Sequence, residues 1–321
     1  MVEFLKTEID AQYRIFTDKV VLYASSVAAA VGKNPYKSPQ VQVVETWGRT
    51  FPEDAKRKST ITSTHHVAFA SLKAMDPAER DKFVLDMSKT IDKSPPGDKT
   101  KNFTPFEAME VLKSVKSVAQ NATSQEDLNL RASKVMRVCK DNVSNASTQA
   151  VLAENIRGCI ATSRGTKTED SDLNMYEQKR KTRVGNRNAK YFRKCVGTWG
   201  LTEIVISGKV DGIEESVNSH GVSEGRIVET KRRRNRFLGV PSYEQVQMLT
   251  YMWLTDLRKC IHVENYGTES RETEVEWDQA QWEEICQGIR TFCGHLGAHC
   301  NDPNRWQVSS EIMMNAAKGK K

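Results

Sequence analysis

The pattern of apolar and polar positions divides the chain by texture. From about residue 20 to Trp47, a small-residue run from Ala24 to Val31 predicts a helix, Gly32-Lys33-Asn34-Pro35 a turn, and the following residues a second amphipathic helix. Residues from about 51 to 145 are poor in aromatics and rich in Lys, Ser, Asp and Ala. Pro77-Ala78-Glu79 and Pro105-Phe106-Glu107 mark helix starts on either side of an exposed linker, Ser94-Pro95-Pro96-Gly97-Asp98-Lys99. Neither helix carries a chemical signature. From Ala150 onwards a helical region through Tyr176 and Arg180 leads to strands predicted over 202–210, 226–231, 260–266 and 273–277. A helix is predicted over 242–257, with Ser242 and Gln245 as a capping box and Leu249, Met252 and Trp253 as its apolar side. This alternation suits an α/β fold, a mixed β-sheet flanked by helices.

The 321 residues, 38% of them hydrophobic, suffice to bury a core. A net charge of +7 favours a polyanionic partner, so the placement of the basic residues decides its meaning. The apolar stretch from Val20 to Gly32 falls short of the ~20 residues that cross a bilayer, so no membrane span is expected. Glu3, Lys6, Glu8 and Asp10 do not make a secretory signal, and an intracellular location, cytoplasm or nucleus, is expected. The seven cysteines include no CxxC pair, which predicts reduced thiols. Cys286, Cys293, His295, His299 and Cys300 suit zinc by type, but their spacing reads better as a partly buried amphipathic helix.

Candidate chemistry begins in the strand Arg226-Ile227-Val228-Glu229-Thr230-Lys231. Its two-residue period puts Glu229 and Lys231 on one face with Ile227. Upstream, Ser207-Gly208-Lys209-Val210-Asp211-Gly212 ends another strand, and a hairpin would bring Asp211 beside Glu229. Two carboxylates on neighbouring strands suit Mg²⁺ or Mn²⁺, and a nearby lysine can orient or help deprotonate an attacking water. That set is what phosphodiester hydrolysis requires. An isolated Glu-x-Lys triplet is usually a solvated surface pair, but here Arg232, Arg233, Arg234 and Arg236 follow at once, a cluster suited to a phosphate backbone. Gln247 and Tyr251 stand four residues apart on one helix face.

Gly208-x-x-Asp211-Gly212, Glu229-x-Lys231 and Gln247-x-x-x-Tyr251, in this order, resemble the PD-(D/E)XK nuclease superfamily in its lambda-exonuclease-like branch, which includes the YqaJ-type viral recombinase nucleases. The run from Ala24 to Ser38 is similar to that branch's N-terminal helix and turn, and Gly165-x-x-x-Glu169 with Leu173 and Tyr176 to its helix bearing an additional acid. The resemblance spans roughly 20–47 and 160–267. It implies a restriction-endonuclease-like mixed sheet with an N-terminal helical part (1–50) and a nuclease core (148–321), whereas residues 51–147 depart from the family's pattern and are expected to form a large helical insertion. It further implies that Asp211, Glu229 and the Thr230 carbonyl hold metal, two Mg²⁺ or Mn²⁺ ions, with Glu169 supporting them. Lys231 would position water, Gln247 and Tyr251 would steady the site wall, and Ser25 would bind a phosphate, although Ser25 also suits a helix N-cap. Glu169 pairing with Lys167 at a helix end is the alternative for that residue.

Between Glu169 and Asp211, residues 179 to 194 carry Arg180, Arg183, Arg187 and five further basic side chains with no acid, a segment expected to touch phosphates. The activity implied is a 5′-to-3′ exonuclease on double-stranded DNA ends in recombination, replication or viral genome processing. The resemblance also implies a single-strand-annealing protein as partner and a homotrimeric ring. An endonuclease on DNA or RNA and an inactive nucleic-acid-binding module are the alternatives.

Overall fold

The computed structural model describes residues 14–15, 17–97, 102–217 and 223–318. The chain divides into two compact units, residues 1–58 with 168–305 and residues 59–167 with 306–321. The first contains β1 (Lys19–Tyr23), α1 (Ala24–Ala30), α2 (Pro39–Thr50) and α3 (Pro52–Arg57). The second takes α4 (Thr64–Ala74), α5 (Pro77–Thr90), α6 (Pro105–Ser114), α7 (Lys116–Gln120) and α8 (Gln125–Asn142). The long helix α9 (Ala146–Arg180) belongs to the second unit up to Lys167 and to the first from Thr168. Then follow β2 (Val184–Gly185), β3 (Phe192–Trp199), β4 (Thr202–Gly208), β5 (Gly212–Val217), β6 (Ser223–Arg232), α10 (Ser242–Thr255), β7 (Lys259–Tyr266), β8 (Glu269–Glu276) and α11 (Gln279–Asn301). The last helix, α12 (Arg305–Lys318), falls in the second unit from Trp306.

The helical unit therefore differs from the expected 51–147 segment at both ends. Helix α9 runs unbroken through residue 147, and α12 returns from the far end of the chain to the same unit. Its helix starts follow the sequence signals: Asp76 caps α5 ahead of Pro77, and Thr104 and Glu107 close a capping box on α6. Asp98 and Lys99 of the expected linker lie outside the described residues.

The α/β unit holds two mixed sheets. One has the order β1-β4-β3, with β1 parallel and β3 antiparallel to β4. The other has the order β2-β5-β6-β7-β8, with β6 and β7 parallel and the remaining pairs antiparallel. Strand β7 is buried along nearly its whole length, as a parallel central strand should be, whereas β8 at the edge alternates charged residues outward. Leu173 and Tyr176 of α9 pack on Val184, Val228, Ile261 and Val263, which fixes one face of the larger sheet. The other face presents Ile227, Glu229 and Lys231 on the side of α10, whose Glu244 meets His262 of β7.

Helix α10 starts at Ser242 with Pro241 as its cap, so the expected Ser242–Gln245 capping box does not form. The fixed proline φ suits the extended cap conformation and moves Ser242 one position inside. The Cys/His-rich segment is the amphipathic α11, with Cys286, Cys293 and His299 buried. Burial pushes the Cys286, Cys293 and Cys300 thiols up to about 12, so they remain neutral core thiols. Among the described residues, no helix is long and apolar enough to cross a membrane.

Candidate active site

Two glycines explain how the acids are brought together. A side-chain carbon at Gly208 would stand 2.8 Å from Ala24 Cβ and 2.9 Å from Tyr251 Cε1, so the end of β4 approaches α1 and α10 only as glycine. At Gly212 it would stand 2.2 Å from Val184 Cγ1, where the start of β5 passes under β2 and Leu173. Asp211 lies between these close approaches and is 9% exposed.

The expected hairpin contact forms through Thr230. Its backbone N–H donates to Asp211 Oδ2 at 2.9 Å and its hydroxyl to the same oxygen at 3.0 Å. Glu229, the next residue on β6, is 2% exposed, and Lys231 Nζ donates to its Oε1 at 2.6 Å. Glu229 Oε2 is buried with no hydrogen-bond partner. Burial first, and then the Asp211 charge, push the Glu229 carboxyl up to about 8 against the pull of Lys231. Burial alone would depress Lys231, but Glu229 and Asp211 outweigh it, so its ammonium is held above the ordinary lysine range.

Glu169 faces the same field. Burial and Asp211 raise its carboxyl while Lys231 and Asn188 oppose them, and Asn188 Nδ2 donates to its Oε2 at 3.0 Å. Lys167, offered as its helix-end partner, instead donates to the carbonyls of Gln120 and Ala122 at 2.9 Å each. On α10, Gln247 Nε2 donates to the Tyr251 hydroxyl oxygen at 2.9 Å, leaving the phenol proton for another acceptor. Burial and then Glu229 raise Tyr251 well above its ordinary value, so the phenol stays neutral.

Among the described residues, no three His, Cys, Asp or Glu side chains form a ready-made metal cluster. The fit to a cation rests instead on the Asp211–Glu229 pair. A carboxylate oxygen buried without a donor is costly, and a hard divalent cation is the partner that an all-oxygen donor set favours.

The basic residues do not share one surface. Arg233 is 9% exposed and buried in an ion network: both its terminal nitrogens reach Glu244 at 2.7 Å, and its Nε reaches Glu264. His262 Nε2 lies 2.9 Å from Glu244 Oε2 and extends the network to the strand beside Glu229. Arg232 pairs with buried Asp172. These two arginines are tied up internally, contrary to the expected phosphate-binding cluster, because acids of α9, α10 and β7 reach them first. Arg234 and Arg236 are exposed. In the upstream segment, Arg180 pairs with Glu272 at 2.7 Å, and Arg187 with Glu177 at 2.7 Å and Asn174 at 2.6 Å, whereas Arg183 is exposed. Ser25 is exposed in the first turn of α1, whose cap is Tyr23, so Ser25 is not the N-cap.

Sequence reasoning missed Asn188, Glu244 and His262. A histidine inside the apolar run of β7 was the one available signal, since buried polar side chains need partners.

No protein-family profile and no curated protein matches the chain. Among solved structures, it is similar to the alkaline exonuclease LHK-Exo from Laribacter hongkongensis, with a TM-score of 0.33 and 18% identity over 64% of this chain and 92% of that one. A phage-related exonuclease from Haemophilus somnus 129PT gives a TM-score of 0.32 and 11% identity over 63% of this chain and 95% of its own.

Proposed function

We propose that this chain is a metal-dependent deoxyribonuclease acting as a 5′-to-3′ exonuclease on double-stranded DNA ends. The observation that carries the hydrolytic reading is the buried Glu229 Oε2 without a donor, beside Asp211 and an ammonium-bearing Lys231. Asp211 and Glu229 would hold Mg²⁺ or Mn²⁺, with the Thr230 carbonyl completing the set and Glu169 supporting it. A bound metal of this kind supplies Lewis-acid stabilisation of the charge that develops on the phosphoryl group.

The protein's own groups carry the other tasks. Lys231, whose Nζ donates to Glu229 Oε1 at 2.6 Å, would position the nucleophilic water beside the acids. Tyr251, with its oxygen already accepting from Gln247, offers its proton to a phosphate oxygen. Thr230 fixes one Asp211 oxygen with two donors and thereby the direction of the other. The exposed Arg183, Arg234 and Arg236 contact the phosphate backbone.

Strand polarity, the preference for duplex ends, two ions, the trimeric ring and the annealing-protein partner come from the motif resemblance. Cleavage of end-labelled linear duplex against closed circular DNA, in Mg²⁺, Mn²⁺ or chelator, tests the reading. Metal-dependent release from linear DNA alone supports it. Efficient cutting of circles makes the chain an endonuclease, and binding without cleavage in either metal makes it a binding module.

A further inference from the structure

The three-stranded sheet has two unlike faces. Val20 and Leu22 of β1 and Ile204 and Ile206 of β4 are buried on one, where Gly208 meets Tyr251 and Lys194 of β3 donates to the Trp253 carbonyl of α10. Register fixes the other. Tyr23 of β1 pairs with Ser207 of β4, and Ser207 with Arg193 of β3, so these three side chains stand in one row across the sheet. Extending the Phe192–Gly208 pair by one residue sets Tyr191 opposite Lys209, on the same face as Arg193.

Each exposed ring of this face carries a cation on one side. Lys209 Nζ lies 4.5 Å from the Tyr191 ring centroid, and the Arg49 guanidinium carbon 4.7 Å from that of Tyr23. Tyr191 is 57% exposed and Tyr23 41%. Arg193, also exposed, hydrogen-bonds Ser207 between them. From the strand spacing and rise, the two tyrosine backbones are about 12 Å apart, within reach of a few nucleotides. The face adjoins the acids at its Tyr191 end: Lys209 is two residues from Asp211, and Asn188, bonded to Glu169, donates its N–H to the Val210 carbonyl at 3.2 Å.

Resting on the nuclease reading, we propose that this face holds an unpaired strand of nucleic acid leading to or from the acids, its bases stacked on Tyr191 and Tyr23 and its phosphates on Arg193 and Arg49. Exposed aromatic rings beside cations suit single strands of any sequence. The proposal adds a single-strand track to a site read as acting on duplex ends.

Fluorescence anisotropy of a labelled oligothymidine, with full-length protein in chelator so that nothing is cut, tests the track. Wild type binds; Tyr191→Ala and Tyr23→Ala each weaken binding about tenfold. Tyr191→Phe keeps the ring and retains most of the affinity. Both tyrosines are exposed, and an unchanged circular dichroism spectrum verifies that the variants fold. Equal affinity of wild type and both alanine variants, or no binding by wild type, overturns the track. Neither result touches the hydrolytic reading, which rests on metal-dependent cleavage of duplex DNA.

Discussion

Thr230 and Asp211 are joined twice, by a backbone N–H and a hydroxyl that both end on Asp211 Oδ2. The backbone donor survives any substitution of Thr230, but the hydroxyl does not. Thr230→Val keeps the strand and removes one of the two donors that hold the carboxylate in place. It is expected to weaken the apparent Mg²⁺ affinity by about 10- to 100-fold, with a smaller loss at saturating metal. Titrating cleavage against Mg²⁺ checks this, and Thr230→Ser should restore it. An unchanged metal requirement in Thr230→Val would detach Thr230 from the site.

The raised Glu229 carboxyl makes the metal-free protein sensitive to pH. Its folded value of about 8 lies above the ordinary 4.5, so the native state binds more protons than the unfolded chain between them. The stability contributed by the protonated form is fully present below about pH 4.5 and is lost as pH rises through about 8. In chelator, Tm should therefore decline across that window, and Glu229→Gln should flatten the decline. Equal slopes for the two proteins would show that Glu229 is not held protonated.

Arg233 and the pair Arg234 and Arg236 should separate cleanly despite adjoining in sequence. Arg233→Ala removes the cation shared by buried Glu244 and Glu264 and should cost about 3–5 kcal/mol in denaturant unfolding. Replacing Arg234 and Arg236 with Ala should leave unfolding unchanged and reduce the salt slope of DNA binding, by about 0.9 for each phosphate that is no longer neutralised. A stable Arg233→Ala protein, or an unchanged slope in the double variant, would contradict these assignments.

Gly212→Ala forces a methyl group into Val184, which stands 2.2 Å from its ideal position. The expected cost is about 1–3 kcal/mol, together with a shift of Asp211 that lowers cleavage more than it lowers DNA binding. Urea unfolding and paired cleavage and binding assays read the two effects separately.

What was legible in the sequence follows from range. Strands β4 and β7 announce themselves as buried apolar runs, and Glu229, Lys231 and Asp211 could be placed because two short motifs border one hairpin. Strand β3 was obscured by its Lys, Arg and Cys residues, which half-exposure permits, and β1 merged with the alanine-rich helix that follows it. The fates of Arg232 and Arg233 were illegible for another reason. Their acids, Asp172, Glu244 and Glu264, come from three separate elements, and only the folded arrangement turns a basic cluster into internal ion pairs. Asn188 on Glu169 is likewise a loop contact with no periodic signal.

Hydrolysis is expected to depend on a metal ion held by Asp211 and Glu229. Comparing wild type with Asp211→Ala and Glu229→Ala on end-labelled linear duplex DNA in Mg²⁺, with binding measured on the same substrate in chelator, tests this directly. Metal-dependent cleavage by wild type, abolished in both variants while their DNA binding is largely retained, is the predicted result. Cleavage by either variant at the wild-type rate would remove that residue from the metal site.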